Sequence, residues 1–322
     1  MLQRASLRRS LVIAAAVVVV AGFQPSSAAA DLIVYDAFLV GAGPGAYLAG
    51  DEDTATNVLG GQNPAIGPQA FYNGGWIQPG GDSQVVKDIG SLSYPLFPQA
   101  GGQVSETVQF NCCSFGRSGR EIAGGLGRER EPLTIYQSFL IDFGTQGTDA
   151  PTDFGKRAYE MWNGGVGDAF LALDLFVNHF AGVDELTLAV TTPSGTQSQA
   201  VAGGGLTLPV LAGVHLAVLR FDFSPFAPDQ VRLYLDPTDS IEANYAPVAS
   251  LAVANSDLFI THHGAITSFT FSGGGHIPGS FDEVRWGDTF EDVTPFLTPV
   301  PEPGLLGLLI VGSGVVTYRR RR

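Results

Sequence analysis

The side chains of this 322-residue chain that could do chemistry are few, and their spacing limits what each could do. Residues 38–46 (FLVGAGPGA) look like the strand and glycine turn of a dinucleotide site, G-x-G-x-x-[GA], where backbone amides at a helix start hold a pyrophosphate. The continuation does not suit that chemistry. After Ala46 the chain runs into Gly50-Asp51-Glu52-Asp53 without helical periodicity. Residues 60–81 are rich in Gly, Pro and Asn where a second strand ending in an acid is required. The motif therefore reads as a glycine turn. Asp51, Asp53 and Asn57 alternate as calcium ligands do, but Thr56 stands where an EF-hand needs glycine and Gln62 where it needs glutamate. A solvated acidic loop is the expectation there, with an irregular calcium site as its alternative. No other cofactor is expected.

Glycoside hydrolysis needs two carboxylates about 5–9 Å apart, one acting as acid and one as base or nucleophile. The adjacent acids Asp184-Glu185, Asp282-Glu283 and Glu291-Asp292 are the pairs that stand out. Neighbours on a strand point to opposite faces, so none of these pairs is expected to converge alone. The histidines, His179, His215, His262, His263 and His276, form neither His-x-x-x-His nor His-Glu-x-x-His, so nothing supports a zinc hydrolase. Gly116-Arg117-Ser118-Gly119 is one residue short of a nucleophile elbow. Cys112 and Cys113 are adjacent and can close only a strained ring; two strand-end thiols are favoured over a vicinal disulfide. Phe71, Tyr72 and Trp76, set among Asn73, Gly74 and Gly75, fit either a sugar-stacking platform or a core and turn, and core is favoured. No residue is assigned as catalytic or as a metal ligand.

The elements that would position these residues read as strands. Residues 133–143, 170–177, 185–191, 214–223 and 267–272 are rich in β-branched and aromatic side chains. Residues 230–236 alternate, with Val231, Leu233 and Leu235 on one face and Gln230, Arg232, Tyr234 and Asp236 on the other. Residues 281–286 place Val284 and Trp286 opposite Glu283 and Arg285. Gly- and Pro-rich turns punctuate these runs, and residues 31–299 contain no convincing helical pattern. The fold class is all-β, an antiparallel sandwich.

Net charge is −14, with 31 acidic and 17 basic side chains. Residues 1–30 hold three arginines and no acid, and residues 301–322 hold four arginines and one acid. The segment between them therefore carries 10 basic and 30 acidic side chains, a net of −20. Such a body repels nucleic acid and anionic lipid, because phosphate binding needs clustered Lys and Arg.

The two ends have a different character. Arg4, Arg8 and Arg9 precede an apolar run at residues 11–22, and Ala28 and Ala30 supply the small residues that signal peptidase requires. Residues 1–30 are expected to form a signal helix for Sec export, cleaved before Asp31. At the other end, Pro301-Glu302-Pro303 closes a proline-rich linker at residues 297–303. An apolar stretch and four terminal arginines, residues 304–322, follow it. As a helix, residues 304–318 would reach about 22 Å, short of a hydrocarbon core of roughly 30 Å, and the arginines would stay cytoplasmic.

That order of Pro-Glu-Pro, short apolar helix and arginine cluster resembles the PEP-CTERM sorting signal. The resemblance implies processing by an exosortase, a transient inner-membrane anchor, and a destination at the cell envelope, outer surface or extracellular matrix near exopolysaccharide. The body, residues 31–296, resembles laminin-G or concanavalin-like jelly-roll domains. Residues 281–287 (FDEVRWG) with Asp292-Val293-Thr294-Pro295 carry that likeness, with residues 92–95 and 138–141 fitting earlier parts. The expected function is a non-catalytic structural or adhesive role. A lectin-like, carbohydrate-binding module and a secreted polysaccharide hydrolase are the alternatives.

Overall fold

The computed structural model describes residues 32–38, 40–41, 46–49, 62, 71–77, 84–87, 90–99, 103–106, 118–127, 131–142, 154–164, 171–180, 183–192, 195–200, 213–253, 258–264 and 280–297. These residues form two antiparallel sheets packed as a β-sandwich. The first contains β1 (Leu32–Asp36), β2 (Gln84–Lys87), β3 (Gln103–Glu106), β5 (Leu133–Asp142), β10 (Val214–Phe223), β11 (Asp229–Leu235), β12 (Ala249–Val253) and β14 (Ser280–Gly287). Its order is β12-β11-β10-β5-β14-β3-β2, and β1 shares one edge of β14 with β3. The second sheet runs β4 (Arg120–Leu126), β13 (Ile260–His263), β6 (Phe154–Trp162), β7 (Leu171–Phe180), β8 (Val183–Thr192), β9 (Gly195–Ala200).

The predicted strands at 133–143, 170–177, 185–191, 214–223, 230–236 and 281–286 appear as β5, β7, β8, β10, β11 and β14, within a few residues at each end. The strand expected at 267–272 lies outside the described residues. A single α-helical turn, α1 (Phe290–Val293), follows β14 and is closed by a Thr289–Asp292 capping box. Among the described residues no helix is long and apolar enough to cross a membrane. The expected signal helix (1–30) and tail helix (304–322) lie outside them.

The main core sits between the sheets. Phe139 of β5 stacks on Tyr159 of β6 at 4.1 Å, and Phe221, Leu219, Leu175, Leu188 and Trp286 are fully buried around them. Strand β5 is buried on both faces. Its outward residues Tyr136 and Leu140 join Leu216, Val218 and Tyr234 under a second apolar layer from Leu92, Tyr94, Phe97, Phe290 and Val293. The outer face of the first sheet is therefore covered at one end by residues 90–99 and α1.

Candidate functional site

Most residues that the sequence singled out either lie outside the described set or are structural. The sorting motif Pro301, Glu302 and Pro303, the cleavage residues Ala28 and Ala30, the acidic loop at 51–57, Cys112, Cys113 and His276 lie outside it. The glycine motif does turn back on itself: the Gly41 N–H donates to the Tyr47 carbonyl at 3.1 Å, and Val40 bridges Tyr47. Tyr72 and Trp76 are buried and Phe71 half-buried, so this aromatic group is core and not an exposed platform. His215 Nδ1 lies 2.7 Å from an Asp236 carboxylate oxygen, and His262 bonds the Thr261 hydroxyl.

Among the described residues, three polar clusters stand out. The first runs through the core. The Tyr47 hydroxyl and the Arg120 guanidinium converge on one Asp36 oxygen at 2.6 and 3.3 Å, and the Trp76 indole N–H donates to the Tyr47 hydroxyl at 2.9 Å. Burial pushes the Asp36 carboxyl above its usual range, while Arg120 pulls against that shift. Arg120 also lies over the Tyr72 ring, which stacks on His263. His263 Nδ1 meets the Tyr159 hydroxyl, to which the Gln137 amide donates. Burial, then the Arg120 and His262 charges, hold His263 well below the ordinary imidazole range, so it is neutral. Every member is at least nine-tenths buried.

The second cluster corrects an expectation. Asp282 and Glu283 do not point to opposite faces. Strand β14 bulges there: its register with β5 shifts between Asp282 and Arg285, and Glu283 adopts a φ of 55°. The extra residue resets the alternation, so both carboxylates turn outward, beneath residues 90–99. One Asp282 oxygen accepts the Leu92 N–H at 3.0 Å. Glu283 accepts from the Tyr35 hydroxyl and from Arg285, whose guanidinium also reaches the Pro98 carbonyl at 2.9 Å. Burial first, and the Glu283 charge second, raise the Asp282 carboxyl well above its normal range. Both acids are fully buried, so this segment of the family-like pattern acts as a clasp between β14 and the 90–99 strap.

The third cluster lies half-buried on the outer face of the first sheet. Because Phe221, Phe223, Val231 and Leu233 point into the core, their neighbours Arg220, Asp222, Gln230 and Arg232 point outward. Register places Thr134, Asp222, Gln230 and Ala252 in one row across four strands, and Tyr136, Arg220, Arg232 and Ser250 in the next. Arg220 bonds Asp222 and Glu242, each at 2.8 Å. Arg232 reaches Asp222 at 3.3 Å and Gln230 at 2.5 Å, and the Thr134 hydroxyl donates to Asp222 at 2.8 Å. Glu242 also accepts from the Tyr136 and Tyr234 hydroxyls. Burial alone would raise the Glu242 carboxyl, but those hydroxyls and Arg220 hold it below its usual range. The alternation of residues 230–236 pointed to this face. What it could not reveal was Glu242, brought over the sheet by the loop after β11.

No family model matches the chain, and neither does any curated protein. Among solved structures, the endo-beta-1,4-glucuronan lyase from the fungus Trichoderma reesei is similar at 11% identity, over 66% of this chain and 90% of that one, with a TM-score of 0.41. The T. cruzi calreticulin globular domain is similar at 11% identity, over 65% and 85% of the two chains, with a TM-score of 0.38. The receptor binding domain of botulinum neurotoxin D is similar at 10% identity, over 73% and 50%, with a TM-score of 0.37. Likenesses this distant carry no function across.

Proposed function

We propose that this chain is an exported protein of a bacterial envelope with a structural or adhesive role and no catalytic one. In this reading, residues 1–30 direct export and leave after Ala30. The body folds outside the cytoplasm as a sandwich of jelly-roll, laminin-G or concanavalin-like type. The tail holds the inner membrane until an exosortase cuts near Pro301-Glu302-Pro303. Signal peptidase and the exosortase are the processing partners, extracellular polysaccharide is the neighbour, and nucleic acid is no ligand of so acidic a body.

One observation carries the sorting part: the order of Pro-Glu-Pro, a short apolar stretch and four arginines at residues 301–322. The non-catalytic part is supported by the placement of the proton-transferring groups. Among the described residues, Asp36, Tyr72, His263, Asp282 and Glu283 are buried, whereas the half-buried charged groups on the outer face of the first sheet are tied to one another. Replacing Pro301, Glu302 and Pro303 together by Ala should leave the uncut chain in the membrane fraction. Unchanged trimming in that variant would overturn the sorting assignment. A second reading, a glycan-binding module, is favoured by the half-buried polar rows on the outer face of β10 and β11.

A further inference from the structure

The last described residues, 294–297, lie against the 90–99 strap. The Leu297 N–H donates to the Leu96 carbonyl at 2.8 Å, and the Phe296 ring lies 6.4 Å from that of Tyr94 and 5.7 Å from that of Phe97. The chain is thus fastened to the sandwich as far as Leu297, and the same bond sets Leu96 beside it. Both leucines are nevertheless open to water, at 53% and 58% exposure, and Pro95 next to them is exposed as well. Leu96 also holds a φ of 59°, which a residue with a Cβ adopts at a cost and glycine would adopt freely. Neither the backbone nor the core gains from a leucine there, so folding alone gives no reason for this apolar pair in water.

We propose that Pro95, Leu96 and Leu297 form a docking surface for a zwitterionic lipid bilayer, which this end of the sandwich touches while the apolar tail is inserted. The inference rests on the tail's membrane insertion in the reading above and adds a contact made by the folded body itself. Chain length selects the occupant. Only six residues, 298–303, separate Leu297 from the apolar stretch that begins at Gly304. Fully extended they reach roughly 20 Å, of which the headgroup layer takes up about 6 Å. A body tied down at Leu297 therefore keeps this end next to the headgroups. Two leucines are too little apolar surface to hold a free protein on a membrane, where even a myristoyl chain binds only marginally. On so short a tether the same pair meets lipid at an effective concentration of about a millimolar. The contact is conditional: cutting the tail before Gly304 removes the tether, and the body leaves the surface. Charge sets the lipid class, because a body of net −20 is repelled by anionic headgroups and not by zwitterionic ones.

The test uses the chain with its tail uncut, purified after export from a bacterial host that has no exosortase. It is reconstituted into phosphatidylcholine vesicles whose acyl chains carry bromine near the glycerol end. Trp76, Trp162 and Trp286 are buried and so shielded from bromine, and a tryptophan introduced at the surface reports lipid contact by quenching. Leu96→Trp carries the test, because residue 96 is remote from the tail in sequence and reaches lipid only if this face docks. Its emission should be quenched relative to unbrominated vesicles, whereas that of Leu48→Trp, at a site 54% exposed, should not. Inserting twenty Gly/Ser residues after Leu297 should weaken the quenching, since the local concentration of lipid falls about ninefold. Equal behaviour of Leu96→Trp and Leu48→Trp in a chain that floats with the vesicles would overturn the inference and leave the tail reading standing. Quenching that the insertion leaves unchanged would overturn it too. A blue shift without quenching would assign the pair to a second copy of the chain, with the same consequence. A chain that does not float with the vesicles would remove the tail reading and the inference together.

Discussion

Arg120 and His263 are charged or titratable groups sealed inside the core. Arg120 is the cation that compensates Asp36 inside the core, at 3.3 Å. Removing one partner of such a pair strands the other charge or forces it to protonate. Arg120→Leu should therefore lower the unfolding free energy by about 3 kcal/mol, measured by urea denaturation at neutral pH. His263 makes a pH prediction of definite sign. Its folded-state affinity for protons lies well below the ordinary value of 6.5, mainly because it is buried. As pH falls below 6.5, the unfolded chain takes up a proton that the folded one refuses, so stability is lost with acid. Asp36 and Asp282 act in the opposite sense: their raised carboxyls favour the folded state at low pH and cost stability as pH rises above the ordinary 3.8. Comparing pH profiles isolates the histidine. His263→Phe should flatten the wild-type acid loss between about pH 5 and 6.5 by roughly 1.4 kcal/mol per pH unit. An unchanged slope would show that His263 is protonated in the fold.

At the scale of elements, the sequence was readable where a strand faces one core and hard to read where geometry breaks the alternation. Strand β10 was legible because the apolar run at 216–219 passes into an alternation of buried Phe221 and Phe223 with half-buried Arg220 and Asp222. In β11 the outward polar residues marked the solvent face. The bulge at Asp282–Glu283 could not be seen, since it depends on a register shift that no residue type announces. The pairing of Tyr72 with Ile122 was equally hidden, because Tyr72 stands in a glycine-rich segment without periodicity. Gly287 supplies an element-scale test. An added Cβ there would lie 2.4 Å from the Asp292 Cβ, inside the capping box that closes α1. Gly287→Ala should displace α1 and cost about 1–3 kcal/mol, read as a lower urea midpoint. Leu96 is the reverse case. It is 53% exposed with a φ of 59° in the turn where Phe97 N–H bonds the Tyr94 carbonyl. Glycine tolerates that conformation, so Leu96→Gly should leave the melting temperature unchanged or raise it slightly, although glycine makes the unfolded chain more flexible.

For the whole molecule, the β-sandwich and the proposed addresses at its two ends belong to different physical problems. The sandwich is held by apolar packing between sheets and by two sealed polar clusters. The ends are short, apolar and arginine-flanked, and would be read by membrane machinery without contributing to the core. The measurement that tests this division most directly is mass spectrometry of the mature protein recovered from cytosol, membrane, matrix and medium. The account predicts a chain beginning near Asp31, ending close to Pro301–Pro303, and found outside the cytoplasm. Recovery of the uncut 322-residue chain from the cytosol alone would contradict it.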